Sequence, residues 1–260
     1  MTVADEYGRR WSARAAVRAE HYVRMSQPAW EAVAVAAGVG PGTALLDVGC
    51  GSGEFLALAA ERGATVAGID AAPVMVELAA AAVPGADVRN GTLEELPWPP
   101  ATFDVVTGFN AFQFAIDIDA ALVGVARATR PGGCVAVCNW GGDGPQDLVA
   151  ITHRLLDLAA EPTLVPRRPI EHPGFLEGCL AGAGLEPVAA GDVPVPWAPP
   201  DFHTLQRGLL AGGNLVPVVE KVGASPVRDA LAASAEPFRR PDGSYLFEST
   251  FRWVVARQRG

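Results

Sequence analysis

The segment Asp47-Val48-Gly49-Cys50-Gly51-Ser52-Gly53 places three glycines at alternate positions directly after the apolar run Ala44–Val48. Glycine accepts a positive φ and carries no Cβ, so such a turn lets a ligand come close to the backbone. A helix through Phe55, Leu56, Ala59 and Ala60 leaves the turn. Strand, turn and helix together put the ligand at the carboxyl end of a strand, where open α/β sheets bind. Asp70 follows 17 positions after Gly53, at the end of a second apolar run, Thr65–Ile69. A carboxylate there accepts hydrogen bonds from both hydroxyls of a ribose.

Two ligand classes compete for this turn. A dinucleotide site requires G-x-G-x-x-G, whose third glycine would fall at position 54. Glu54 stands there. Its carboxylate takes the helix N-terminus at which a pyrophosphate would gain from the dipole. S-adenosylmethionine (AdoMet) has no phosphate. Its zwitterionic methionine and sulfonium suit the glycine turn, and its ribose suits Asp70. An NAD-dependent oxidoreductase is the disfavoured reading.

These residues must be positioned by the alternation of short apolar strands and helices that begins at Thr43, the pattern of a parallel sheet. Strands are expected at Ala44–Val48, Thr65–Ile69, Asp87–Asn90, Phe103–Gly108 and Cys134–Cys138, with helices after the glycine turn, from Pro73, and around Ala120–Arg127. Beyond Trp140 a helix over Asp147–Leu158 carries Leu148, Ile151, Leu155 and Leu158 on one side and His153 on the other. A helix over Phe175–Ala183, a sixth strand at Leu185–Val195 and a last strand at Ser244–Ala256 complete the series. Ahead of the first strand, a helix over Arg10–Met25 bears Trp11, Ala15, Tyr22 and Met25. Ser26 reads as the N-cap of a second helix, with Pro28 in its first turn and Trp30, Val33, Ala34 and Ala37 as its stripe. Pro196–Ala235 is punctuated by proline and glycine, and reads as a helical insertion. The expectation is a single α/β domain over 1–260, with 1–40 a helical lid, 43–140 the cofactor-binding core and 196–235 a cap.

Half of the residues are apolar and 19% are charged, enough for a substantial core. A net charge of −9 argues against nucleic acid, whose phosphates demand a basic surface, and fits a small-molecule partner. No apolar run is long enough to span a membrane and the opening residues hold no signal-like core, so a cytoplasmic protein is expected. Cys50, Cys134, Cys138 and Cys179 form no C-x-x-C pair and no histidine spacing matches them, so no metal is expected. Cys134 and Cys138 share one face of a strand, where thiols behave as small apolar groups.

With the glycine turn and acidic strand end come three further motifs in order: Gly91-Thr92-Leu93-Glu94-Glu95-Leu96-Pro97-Trp98, Phe103-Asp104-Val105-Val106 and Arg130-Pro131-Gly132-Gly133. The chain thereby resembles the class I AdoMet-dependent methyltransferases that modify small molecules. The likeness covers Thr43–Trp140 closely and the terminal strand loosely. It implies a Rossmann-like, doubly wound seven-stranded sheet in the order 3-2-1-4-5-7-6, last strand antiparallel. It also implies a cofactor-binding set of Asp47, Gly49, Cys50, Gly51, Gly53, Asp70, Ala71, Met75, Thr92, Leu93, Phe109 and Asn110. In that set Gly49 and Gly51 line the methionine end, Asp70 holds the ribose, and Ala71 and Met75 pack on the adenine. Thr92 and Leu93 meet the adenine edge, while Phe109 and Asn110 sit beside the methionine and methyl group. Thr92 replaces the aspartate that reads the adenine amine in many relatives. A neutral acceptor gives a weaker bond there.

Methyl transfer from a sulfonium already has an activated leaving group. The protein must align the acceptor, exclude water and, for a hydroxyl or carbon acid, take a proton. No obligatory acid–base motif exists to be found. His21 beside Tyr22, and His203 beside Phe202, are the candidate bases; His153 and His172 are not. Asn139 and Trp140 leave the fifth strand at its carboxyl end and are candidates for the acceptor pocket. The expected function is methyl transfer to O, N or C of a small molecule. The alternative is a member of the fold that binds AdoMet without methylating, as a scaffold or a cyclase.

Overall fold

The Val-, Leu- and Ile-rich runs alternate with helices as their periodicity requires, and the central strands they form are buried on both faces. In the computed structural model, which describes residues 3–12, 23–159, 168–170 and 172–259, β1 is Ala44–Val48, β2 Thr65–Asp70, β3 Asp87–Asn90, β4 Phe103–Phe109, β5 Thr129–Trp140, β6 Leu185–Pro194 and β7 Thr250–Gln258. They make one sheet in the order β3-β2-β1-β4-β5-β7-β6. β1 to β5 run parallel, and β7 is antiparallel to both β5 and β6. The central strand β1 has Asp47 opposite Gly68 of β2 and Thr107 of β4.

Helices cover both faces. On one lie α2 (Gln27–Ala36), α3 (Glu54–Glu61) and α6 (Asp147–Asp157), and the inserted helices α8 (Phe202–Leu209), α9 (Val216–Val222) and α10 (Ala224–Ala235) extend that layer. On the other lie α5 (Ile118–Ala128) and α7 (Phe175–Gly182). α4 (Pro73–Ala82) follows β2, and α1 (Val3–Ser12) packs against it. Cys134 and Cys138 are buried on the α2–α6 face, as their spacing predicts. Among the described residues no helix is long and apolar enough to cross a membrane.

Four expectations are corrected. The N-terminal helix occupies Val3–Ser12, and a short 3-10 turn spans Val23–Ser26; residues 13–22, with His21 and Tyr22, lie outside the described residues. Ser26 precedes α2 as expected but makes no side-chain cap bond. Its backbone is already helical, at φ −78°, because it closes that turn, whereas a capping residue needs an extended backbone. Leu158 ends α6 and is 39% exposed, off the stripe of Leu148, Ile151 and Leu155. The last strand starts at Thr250, six residues late. Tyr245, Phe247 and Ser249 alternate like a strand but bridge singly to Arg239, Trp197 and Gln146. Phe247 is fully buried against Trp197 and Phe238, so the alternation packs on the segments flanking α8 to α10 rather than extending the sheet.

Candidate functional site

The turn after β1 is clamped to the end of β2. Gly49 and Cys50 donate their N–H groups to the Ile69 carbonyl at 2.8 and 3.0 Å. Gly51 N–H donates to Asp70 Oδ2 at 2.9 Å, and Ala72 N–H donates to Asp70 Oδ1 at 2.9 Å. The carboxylate thus ties the turn to the start of α4.

The three glycines all have positive φ, but their surroundings differ. A Cβ on Gly49 would stand 2.5 Å from the Ala111 side chain, and one on Gly53 would stand 2.8 Å from Ala79 Cα in α4. A Cβ on Gly51 would meet nothing within 4 Å. Gly49 and Gly53 are packing contacts, while Gly51 faces open space.

That space is a cleft of about 820 Å³, counting its open mouth, at the carboxyl ends of β1, β2 and β4. Nine of the twelve residues expected at the cofactor line it: Gly49, Gly51, Asp70, Ala71, Met75, Thr92, Leu93, Phe109 and Asn110. Asp47, Cys50 and Gly53 do not line it. Cys50 is buried beneath the turn, close to Gly68. Asp47 is 2% exposed and receives the Thr107 hydroxyl at 2.7 Å. Burial, helped by the nearby carboxylates of Asp70 and Glu54, pushes the Asp47 carboxyl up to about 7, against the lowering effect of Thr107.

Asn110 leaves β4 with φ 51°, a left-handed conformation that asparagine tolerates better than most side chains. Three bonds hold it there. Its N–H donates to the Cys138 carbonyl at 2.8 Å, its Oδ1 accepts the Trp140 N–H at 3.2 Å, and its carbonyl accepts from Gln113 Nε2 at 3.2 Å. The ring of Phe109 packs on Phe55 of α3, centroids 4.5 Å apart.

The remaining walls include Trp11, Gly91, Glu94, Ala111, Phe114, Ala115 and Ile116. Of these, Gly91 and Glu94 stand inside a motif the sequence displays. Ala111, Ala115 and Ile116 carry no chemical signal, because they line the cleft only through the course of the chain after β4. Glu94 fixes that course by accepting the Ile116 N–H at 2.7 Å. Two carboxylates, Asp70 and Glu94, and no lysine or arginine line the cleft among the described residues, a field that favours a cation. His203 is exposed on the first turn of α8 and does not line the cleft. Its neighbour Phe202 turns into the apolar layer and leaves the imidazole in solvent. His153 is half-buried and His172 is exposed, and neither lines the cleft.

Residues 46–137 match the family model described as a methyltransferase domain. Over 95 residues the chain is 38% identical to the malonyl-[acyl-carrier protein] O-methyltransferase of Serratia marcescens, covering 36% of this chain and 37% of that one. The chain therefore aligns with well under half the length of that relative. The fold is similar to that of the YcgJ protein of Bacillus subtilis, with TM-score 0.60 at 20% identity over 89% of this chain and 98% of the other. It is similar too to the [4+2]-cyclase SpnF, with TM-score 0.57 at 20% identity over 89% of this chain and 80% of the other.

Proposed function

We propose, from a chain whose residues 46–137 match a methyltransferase domain, that it transfers a methyl group from AdoMet to a small organic acceptor. The observation that carries this reading is the bracket formed by Gly51 and Asp70 at the floor of the cleft. The open face of Gly51 admits the methionine end, and the Asp70 carboxylate, held by two backbone N–H groups, is aimed for the ribose. Ala71 and Met75 make the apolar bed for the adenine, and Thr92 and Leu93 its edge. Asn110, fixed by three hydrogen bonds, stands where the methyl group would be presented. The acidic walls suit a ligand carrying a sulfonium and an ammonium.

On this reading the protein's own residues do three things. They bind and orient the cofactor, they hold an acceptor in line with the methyl group, and they keep water away. α1 serves the last task. Trp11 lines the cleft, and the helix is wedged between Ala71, which crowds Gly8, and the cap, where a Cβ on Gly213 would stand 2.7 Å from the Trp11 ring. Residues 1–40 and 196–235 then form a lid and a cap on one domain with the 43–140 core. The described cysteines are all unpaired thiols, which fits the reducing cytoplasm.

The test is incubation with isotopically labelled AdoMet and a panel of metabolites, read by mass spectrometry for the gain of one labelled methyl. A second reading is favoured by the likeness to a [4+2]-cyclase: a bound AdoMet that is never consumed. Cofactor retained in the complex, with no labelled product from any acceptor and rearrangement of an unsaturated one, would decide for it.

A further inference from the structure

Asn139 is 1% exposed, and neither its amide nitrogen nor its amide oxygen has a hydrogen-bond partner. Strand alternation turns its side chain to the sheet face of Val135 and Val137, the face covered by α5 and α7. Its partner across β7 is Arg252, and the partner of Arg252 across β6 is Asp192. Three polar residues therefore form one row over three strands. Directly opposite side chains on a shared face stand about 5 Å apart. Glu177, in the first turn of α7, reaches the same row. Arg252 donates from Nη2 to Glu177 Oε1 at 2.5 Å and from Nη1 to Asp192 Oδ1 at 3.1 Å. Its Nε and the other Glu177 oxygen, Oε2, are buried without partners.

Native interiors satisfy buried polar groups almost completely, and an exception calls for an occupant or a function. Here four orphan atoms gather around one row: a donor and an acceptor on Asn139, a donor on Arg252 and an acceptor on Glu177. We propose that this row is a binding site for an amide, a neutral group that presents N–H and C=O side by side. A second amide pairs reciprocally with that of Asn139, and the Arg252 Nε and Glu177 Oε2 atoms repeat the same pairing. A carboxylate would face Glu177 and Asp192, and an ammonium would face Arg252.

The position deepens the methyl-transfer reading and rests on it. Asn139 follows Cys138, whose carbonyl accepts the Asn110 N–H, and precedes Trp140, whose N–H donates to Asn110 Oδ1. The row thus starts one strand away from the methyl end of the cleft. Strands are spaced about 4.8 Å apart, so an acceptor held here by its amide has its reacting atom about 5–10 Å from that group. The acceptor class is a small molecule bearing a primary amide, lactam or imide. Because Asn139 is closed off, the overlying apolar layer must part to admit it.

The probe is 2-pyrrolidinone, with cyclopentanone, propionate and pyrrolidinium as controls. The readout is the spectrum of protein carrying ¹⁵N in its asparagine amides, in which the side-chain pair missing from Asn139→Leu belongs to Asn139. Pyrrolidinone should shift that pair saturably and the three controls should not. Asn139→Leu should lose pyrrolidinone binding yet raise the Tm of the free protein by about 2–4 °C, since an apolar group of similar shape replaces an unsatisfied one. Glu177→Gln should weaken pyrrolidinone and admit propionate. Equal shifts from all four probes, no shift from any, or a lower Tm in Asn139→Leu would overturn the proposal, the last by showing a structural water network. AdoMet titrated into the same samples keeps the two readings apart. Absent AdoMet binding overturns methyl transfer, while the pyrrolidinone shift alone decides the amide site.

Discussion

Trp11 and Phe114 meet edge to face in the wall of the cleft, ring centroids 5.3 Å apart at 69°. One ring belongs to α1 and the other to the turn after β4, so the contact joins the N-terminal helix to the segment that carries Asn110. Arg9 adds a bond from α1 to Glu220 of α9 at 3.4 Å, and the half-exposed pair contributes little by itself. The helix is thus a bridge between the cleft and α9.

Trp11→Ala should leave the fold intact and weaken AdoMet by about 2–12-fold, the equivalent of the 0.5–1.5 kcal/mol that such an aromatic pair is worth. Calorimetry gives the affinity, and thermal unfolding shows whether the sheet is untouched. Unchanged affinity would mean that α1 does not cover the bound cofactor.

The glycine turn separates binding from stability. Gly51→Ala places a methyl in open cleft at φ 54°, so its fold should hold to within about 1–2 kcal/mol, the cost of the left-handed backbone, while AdoMet binding fails. Gly53→Ala drives a methyl to 2.8 Å from Ala79 Cα and should lower the Tm more than Gly51→Ala does. Parallel melting curves and titrations on the two variants decide it, and the reverse ranking would contradict the assignment of Gly51 to the ligand.

Asp70→Ala should cost about 1.5–3 kcal/mol of AdoMet affinity, the range for hydrogen bonds to a charged group. Part of that loss comes through Gly51 and Ala72, whose N–H groups lose their acceptor. Asp70→Asn retains one acceptor oxygen and should fall between the alanine variant and the native protein. Equal losses in the two variants would argue that charge, not acceptor geometry, is what the ribose reads.

Asp47 supplies a pH test. Its folded carboxyl lies near 7, above the ordinary value of 3.8, because burial penalises the charge. A raised acid contributes stability that is complete below the unfolded value and lost as pH rises through the folded one. The free protein should therefore lose stability between about pH 4 and 7, and Asp47→Asn should flatten that slope. A cationic cofactor above the turn favours the carboxylate, so AdoMet binding near pH 6 should release a proton, seen as calorimetric heats that depend on the buffer.

The strand-rich core was legible in the residues themselves. β1 falls where its apolar run predicts, and the order 3-2-1-4-5-7-6 that the family resemblance implies is the order observed. Local signals suffice there because a strand buried on both faces needs a continuous apolar run, and a tight turn at its carboxyl end needs glycine. Five of the nine expected residues that line the cleft, Gly49, Gly51, Asp70, Thr92 and Leu93, stand within a motif, and Ala71, Met75, Phe109 and Asn110 follow from the resemblance.

Tertiary structure decided what depends on pairings far apart in the chain. The alternating run Ser244–Ser249 could have extended the sheet, and only the approach of Trp197 and Phe238 drew it into the cap. The three glycines look alike in the sequence, yet Ala111 and Ala79 crowd two of them and leave Gly51 facing open space. Asn139 reads as one polar residue at a strand end until register sets it beside Arg252, 113 positions later in the chain. Period and turn chemistry are properties of neighbours in sequence, so the sequence alone determined the frame. Burial, charge and the company of a side chain are properties of neighbours in space, and those the assembled sheet alone could assign.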